Sequence, residues 1–127
     1  MPAVGQKIVM WIGDDLVITI PVKDAVGNWV DLTGATAEYW VGKAVNSTGA
    51  NVYIKKSTLE SGGDLKIVNV AAGPEWDLVV TIHPIDTEHL RAGSLYHEAK
   101  IIDGYGKYST VMTGNFQLMP TLIPDNL

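Results

Sequence analysis

Three histidines are the residues in this sequence best suited to collect a metal ion. His83 precedes a proline, and His89 and His97 follow it along the chain. Neither His-x-His nor His-Glu-x-x-His spacing joins them, and these are the arrangements that place metal ligands together on one element. His97 shares a strand face with Leu95 and Ala99, which is typical of a hydrogen-bonded histidine in a core or an interface. We therefore predict no metal site.

Acidic residues in the predicted loops are the second candidates for chemistry. Gly13-Asp14-Asp15 is the same tripeptide that occurs in the metal-binding hairpin of RNA polymerases. That chemistry, however, needs a nucleic-acid channel much larger than 127 residues can build. We interpret the tripeptide as a polar turn between two strands. Six acids could offer calcium ligands at the ends of a sandwich: Asp14, Asp15, Asp64, Glu75, Asp77 and Asp86. Because they lack EF-hand spacing, we expect them to face water.

Motifs of enzyme catalysis do not occur in the sequence. It contains no Gly-x-Ser-x-Gly elbow, and its glycine-rich stretches carry no P-loop lysine. Nothing identifies two carboxylates across a cleft, as glycoside hydrolysis requires. The sequence therefore predicts no catalytic residue, no cofactor and no enzymatic activity.

Composition and charge favour a protein partner over nucleic acid. The formal net charge is -5 and no cluster of Lys or Arg stands out, whereas phosphate backbones are bound by concentrated positive charge. Charged residues make up 18% of the chain, below the usual ~25%, and hydrophobic residues make up 46%. A domain this small with so little charge is expected to bury part of its surface against a partner.

The expected compartment follows from features that the sequence lacks. There is no cysteine, no apolar stretch of the roughly 20 residues that span a bilayer, and no signal-peptide pattern at the amino terminus. We expect one domain over residues 1–127, soluble, made in the cytoplasm and not inserted in a membrane.

Alternation of apolar and polar residues is the dominant local pattern, and it predicts strands with one buried face. Leu16, Ile18, Ile20 and Val22 share one face of residues 15–22. Pro21 cannot donate to a ladder, so this strand should be an edge strand or end there. Further strands are predicted over residues 35–43, 52–59, 65–70, 76–82, 94–103 and 107–119.

One helical turn is predicted after the strand at 76–82. Asp86 is a candidate N-cap, and Gly93 is a candidate for closing the turn. The turn is too short to make this an α/β fold, and strands separated by turn signals at this spacing are typical of a sandwich or barrel.

Residues 90–103 read apolar-x-x-Gly followed by an alternating strand, and Asp103-Gly104-Tyr105-Gly106 follows as a turn. Gly114-Asn115-Phe116-Gln117-Leu118 then completes a Gly-x-Phe-x-apolar motif. This pattern resembles the immunoglobulin-like domains of tailed-phage structural proteins found in baseplates, tails and head decorations. Leu95 departs from it, because the family often has an aromatic residue after the glycine.

The amino-terminal half carries the same resemblance, at residues 15–22, 24–27, 31–34 and 35–41. The resemblance covers about residues 13–118. It implies an all-β, immunoglobulin-like antiparallel β-sandwich of seven to nine strands and no catalytic residues. The core is expected to include Leu16, Ile18, Ile20, Tyr39, Trp76, Leu78, Val80, Ile101, Phe116 and Leu118.

Outward-facing apolar residues are the predicted interaction surface. On the strands and beside the first turn these are Val17, Trp29, Trp40, Val79, Ile102 and Val111. Residues 120–127 contain two prolines and are expected to form an extended arm, in which Leu122, Ile123 and Leu127 would be poorly placed in water. Large aromatic and aliphatic side chains at outer positions favour an interface.

The resemblance and this surface together lead to the functional hypothesis. We expect a phage or prophage virion component that is made in the bacterial host cytoplasm and assembles with copies of itself or with other virion proteins. The alternative is a carbohydrate- or receptor-binding module that stacks Trp29 or Trp40 on a surface glycan.

Overall fold

The computed structural model describes residues 4–45 and 47–122. Within them lie nine strands and one short α-helix, α1 (Pro84–Thr87), together with short 3-10 turns at Gly49–Asn51 and Val70–Ala72. The strands are β1 (Val4–Gly5), β2 (Ile8–Trp11), β3 (Leu16–Pro21), β4 (Thr36–Gly42), β5 (Val52–Ser57), β6 (Leu65–Asn69), β7 (Trp76–Ile82), β8 (Gly93–Ile102) and β9 (Tyr108–Met119). None of the described helices is long and apolar enough to cross a membrane.

The strands form two sheets with the connectivity of an immunoglobulin domain. One sheet has the order β3-β7-β6, and the other has the order β1-β9-β8-β4-β5 with β2 also paired to β9. In immunoglobulin terms these are B-E-D and G-F-C-C′, with the first strand placed beside G. The predicted immunoglobulin-like sandwich is therefore confirmed.

The amino-terminal strands were not predicted from the sequence. β1 and β2 pair in parallel with β9, whereas the other ladders are antiparallel. Ile8 lies opposite Phe116, and Trp11 lies opposite Met119. The first two strands and the last strand therefore lie side by side at one edge of the larger sheet.

The core confirms the alternation pattern. In β7, Leu78, Val80 and Ile82 are fully buried, while Val79 and Thr81 point to the other side of the sheet. Burying each such side chain stabilises the fold by about 1.5–3 kcal/mol. Of the predicted core residues, eight are buried: Ile18, Ile20, Tyr39, Leu78, Val80, Ile101, Phe116 and Leu118. Leu16 and Trp76 are partly buried and pack against them.

A bulge in β9 corrects the prediction for Val111. The register between β8 and β9 shifts at Ala99/Lys100, because Ala99 lies opposite Met112 and Lys100 opposite Thr110. Val111 is the extra residue, and such a residue interrupts the alternation of faces. It is 2% exposed and belongs to the core, so the expectation that it faces outward was wrong.

The helical turn begins three residues earlier than predicted. His83, not Asp86, is the N-cap, since Pro84 occupies the first helical turn, where its missing N–H costs nothing. Asp86 lies in that first turn, and its carboxylate accepts the backbone N–H of His83 at 2.8 Å. Gly93 does not close the helix but begins β8.

Candidate interaction surfaces

A buried lysine forms an ionic cluster at one end of the sandwich. The Lys56 ammonium lies 2.9 Å from Asp64 and 2.8 Å from Asp86, and the imidazole Nε2 of His83 lies 2.8 Å from Asp64. Burial opposes the charge of Lys56, but its hydrogen bonds to Asp86 and Asp64 outweigh burial and raise its pKa. The same hydrogen bond from Lys56, followed by that from His83, lowers the pKa of Asp64.

This cluster joins β5, the loop before β6, and α1. Each charged group in it is bonded to another member of the cluster. Two of the six acids considered as calcium ligands, Asp64 and Asp86, are therefore engaged by a cation of the chain itself. Asp14 and Asp15 are exposed, and Asp15 lies 3.9 Å from His83. In residues 4–45 and 47–122, no group of three or more His, Cys, Asp or Glu side chains could hold a metal ion.

The last two of those acids, Glu75 and Asp77, lie together at the start of β7. The carboxylate of Asp77 raises the pKa of Glu75 through a side-chain hydrogen bond. Asp77 is buried, and its Oδ1 has no hydrogen-bond partner among the described residues. Two carboxyl groups without a third ligand do not make a cation site of the usual six to eight oxygens.

The three histidines considered as metal ligands lie in different environments. His97 is fully buried, with its Nδ1 2.9 Å from the hydroxyl of Tyr39 and its Nε2 2.6 Å from the carbonyl oxygen of Gln6. The rings of Phe116 and His97 pack in a T-shaped arrangement, with their centroids 5.6 Å apart. This is the hydrogen-bonded core histidine that the sequence predicted. His89 is exposed and lines a shallow depression of about 370 Å³ together with Lys43, Tyr53 and residues 90–95.

The outer face of the smaller sheet brings two predicted interface residues together. Val17 is 61% exposed, and Val79 lies on the adjacent strand, paired with Thr19. Val68 of β6 is also exposed on this face. The face is therefore a patch of valines interrupted by threonine and lysine.

The outer face of the larger sheet carries Trp40, which is 39% exposed. Across the strands, Trp40 lies opposite Lys55 on one side and Glu98 on the other. The ammonium of Lys55 lies 4.4 Å from the centre of the indole ring, within the range of a cation–π contact. The predicted interface residue Ile102 is half-buried on the same face, opposite Tyr108.

Two depressions of about 230 Å³ each flank Trp40. Both are lined by Glu98 and Lys100, and Tyr108 lines one of them while Tyr96 lines the other. Burial raises the pKa of Tyr96, and the nearby Glu98 carboxylate adds to that effect. Indole, carboxylate, ammonium and phenol groups thus meet on one open surface.

Two exposed residues at the β2 edge were missed by the sequence reasoning. Val9 is 46% exposed and Trp11 is 48% exposed, both on the outer side of the larger sheet. The signal available in the sequence was the apolar run Ile8–Trp11 between Lys7 and the Gly13 turn. Such a run does not show which of its residues face outward.

The remaining predicted interface residues lie in three different settings. Trp29 is half-buried and forms a bridge with Lys23, whose ammonium lies 4.5 Å from its ring centre. Leu122, just beyond β9, is 96% exposed. Ile123 and Leu127, the other apolar residues of the predicted arm, lie outside the described residues.

No protein-family model matches the chain, and no curated protein matches it significantly. The fold and the surfaces described above are therefore the basis for a functional proposal.

Proposed function

We propose that the chain is a structural component of a phage or prophage virion, of the tail, baseplate or head-decoration type, that acts by protein–protein assembly. The proposal rests on the resemblance in sequence and on one structural observation. Large apolar side chains lie exposed on the outer sides of both sheets, including Val9, Trp11 and Val17.

A sandwich whose sheets face only water is expected to carry polar residues at those outer positions. Scattered exposed apolar residues are common on protein surfaces, but aromatic residues at outer positions are enriched in interfaces. Here Trp11 and Trp40 add aromatic surface to one side of the larger sheet. With charged residues at only 18% of the chain, assembly is the simplest way to bury this surface.

The polar groups best placed for chemistry support the same proposal. Lys56, Asp64, Asp86 and His97 are bonded to one another or to the core in arrangements that hold strands together. A catalytic group has to leave a lone pair or a proton available to a substrate. These residues therefore act as structural ties, and the proposed role is assembly without catalysis.

Sedimentation equilibrium of the full chain tests self-assembly. We expect the isolated chain to form an oligomer with copies of itself at micromolar concentration. In the virion, the same surfaces would also contact other virion proteins. A chain that stays monomeric at high micromolar concentration overturns self-assembly.

The Trp40 face supports a second candidate function, recognition of a glycan. Sugar rings stack on aromatic side chains, and the neighbouring Glu38, Glu98 and Lys100 offer acceptors and donors for hydroxyl groups. Depressions of about 230 Å³ are smaller than the 300–1,000 Å³ typical of enclosed ligand pockets, so they suit single sugar units on an open surface.

A glycan array tests this candidate with two matched variants. Trp29 and Trp40 each carry a lysine ammonium over the ring, but only Trp40 lines the depressions. We expect Trp40→Ala to abolish glycan binding and Trp29→Ala to retain it. An array on which the unmodified chain binds no glycan rules this function out.

A further inference from the structure

The sheet edges of this sandwich are not equally protected against pairing with another strand. Exposed edges are usually blocked by lysine, proline or a bulge, because their free N–H and C=O groups can pair with another chain. The β5 edge carries the exposed Lys55, the β6 edge carries the exposed Lys66, and the β3 edge ends at Pro21. The run Ile8–Trp11 in β2 contains no lysine, no proline and no bulge, and the nearest lysine, Lys7, precedes the strand.

The hydrogen bonds between β2 and β9 show which backbone groups of β2 point away from β9, toward the open side of the strand. The N–H groups of Gln6 and Ile12 donate to Thr113 and Met119, each at 2.9 Å. Because residues in a parallel strand alternate in direction, even-numbered residues face β9 and odd-numbered residues face the open side. Lys7 and Val9 therefore direct both backbone groups to the open side, and Trp11 directs its N–H there, while its carbonyl oxygen accepts the N–H of Asp14 at 3.1 Å.

We propose that the β2 edge pairs with the β2 edge of a second copy of the chain, antiparallel, about a twofold axis through Val9. In this register Val9 lies opposite Val9 of the other copy, and each Lys7 lies opposite a Trp11. The N–H groups of Lys7, Val9 and Trp11 are then all used, and the two larger sheets join into one continuous sheet. The Trp11 carbonyl oxygen, which has two lone pairs, accepts from Lys7 of the other copy as well as from its own Asp14.

Charge complementarity along the edge identifies a second copy as the occupant. The edge has the exposed Lys7 at one end, and the exposed Asp14 and Asp15 follow its other end. Antiparallel pairing about a twofold axis brings the basic end of each copy to the acidic end of the other. It also places the Lys7 ammonium beside the Trp11 indole, which favours a cation–π contact. A twofold interface requires a patch that is complementary to itself, and this edge is.

This inference rests on the proposed assembly function and narrows it to one edge. Single cysteines test it directly, because the chain has no cysteine of its own. Opposed residues in a hydrogen-bonded antiparallel pair have Cα atoms about 5.5 Å apart, within the roughly 4.4–6.8 Å that a disulfide spans.

We expect Val9→Cys to form a disulfide-linked dimer under mild oxidation, seen on a non-reducing gel at low micromolar concentration. Val17→Cys is the matched control, since Val17 is also an exposed strand valine but lies on the smaller sheet. It should remain largely monomeric. In the cysteine-free chain, Trp11→Lys should weaken dimerisation at least tenfold in sedimentation equilibrium, with an unchanged circular dichroism melt.

Absence of a Val9→Cys dimer, or a Val17→Cys dimer of equal yield, overturns the inference. If the full chain forms an oligomer, but Val9→Cys gives no disulfide-linked dimer and Trp11→Lys does not weaken the association, the β2 inference fails while assembly through another surface stands. If the full chain is monomeric at high micromolar concentration, self-assembly itself fails.

Discussion

The imidazole Nε2 of His97 lies 2.6 Å from the backbone carbonyl oxygen of Gln6, so a side chain of β8 holds the segment that joins β1 to β2. A carbonyl oxygen only accepts hydrogen bonds, so Nε2 carries the proton and donates. Nδ1 then accepts the hydroxyl proton of Tyr39, 2.9 Å away. The neutral imidazole satisfies both partners, and the position of the first strands depends on it.

Acid should destabilise the fold through this histidine. Burial lowers the pKa of His97 below its ordinary value of 6.5, although the hydrogen bond to Gln6 opposes the shift. Between the two pKa values the unfolded chain binds more protons than the folded chain, so stability falls as pH falls. The stabilising contribution is complete above 6.5 and is lost as pH falls through the lower pKa of the folded state.

Urea unfolding between about pH 7.5 and about pH 5 measures this effect on either side of the ordinary histidine pKa. The unmodified chain and the exposed-site control His89→Gln should lose free energy of unfolding, and His97→Gln should lose clearly less. Asp64 does not interfere, because its contribution is lost only below its ordinary pKa of 3.8. Equal losses in all three chains would contradict the assignment to His97.

A side chain at position 114 should displace the amino-terminal strands. A Cβ at Gly114 would collide with the carbonyl oxygen of Gln6, whereas a Cβ at Gly104 would meet nothing within 4 Å. Overpacking of this kind costs about 1–3 kcal/mol, so Gly114→Ala should lower the free energy of unfolding by that amount and Gly104→Ala by much less. Urea unfolding gives the free energies, and faster amide exchange in residues 8–12 would locate the effect. Equal stability of the two variants would show that this contact is unimportant.

The two adjacent lysines of β5 should differ sharply in importance. Lys56→Met removes the cation between Asp64 and Asp86 and leaves two partly buried carboxylates without it. Breaking a fully buried pair costs about 3–5 kcal/mol, and since Asp64 is one-third exposed we expect a smaller cost, about 2–3 kcal/mol. Lys55→Met changes an exposed residue and should alter stability by less than about 0.5 kcal/mol. Chemical denaturation compares them, and similar values would refute the structural role of the cluster.

Removal of the carboxyl-terminal arm should weaken self-association. Leu122 is 96% exposed just beyond β9, whose last residue, Met119, lies opposite Trp11. An apolar residue so placed is expected to be buried against a neighbouring copy. Sedimentation equilibrium of a chain ending at Met119 should give a larger dissociation constant than the full chain. An unchanged constant would mean that the arm takes no part in the interface.

Local patterns in the sequence determined the strands and most of the core. Leu78, Val80 and Ile82 alternate with Asp77, Val79 and Thr81, and this alternation alone predicted both β7 and its buried face. Pro21 indicated correctly that β3 is an edge strand and ends there, because a residue without an N–H cannot continue a ladder.

Only the tertiary structure decided which distant residues meet. Lys55 and Lys56 are adjacent and identical in type, yet one is exposed and the other buried, because the acids that compensate Lys56 come from the loop before β6 and from α1. Val111 faces the core and not the outside because of a bulge in β9, and this bulge depends on the pairing of β9 with β8. The position of the exposed Trp11 depends on the pairing of β2 with the end of β9, which lies more than 100 residues later in the sequence. Side-chain alternation is a property of one strand's backbone, whereas pairing and register depend on contacts between strands that a local stretch of sequence does not contain.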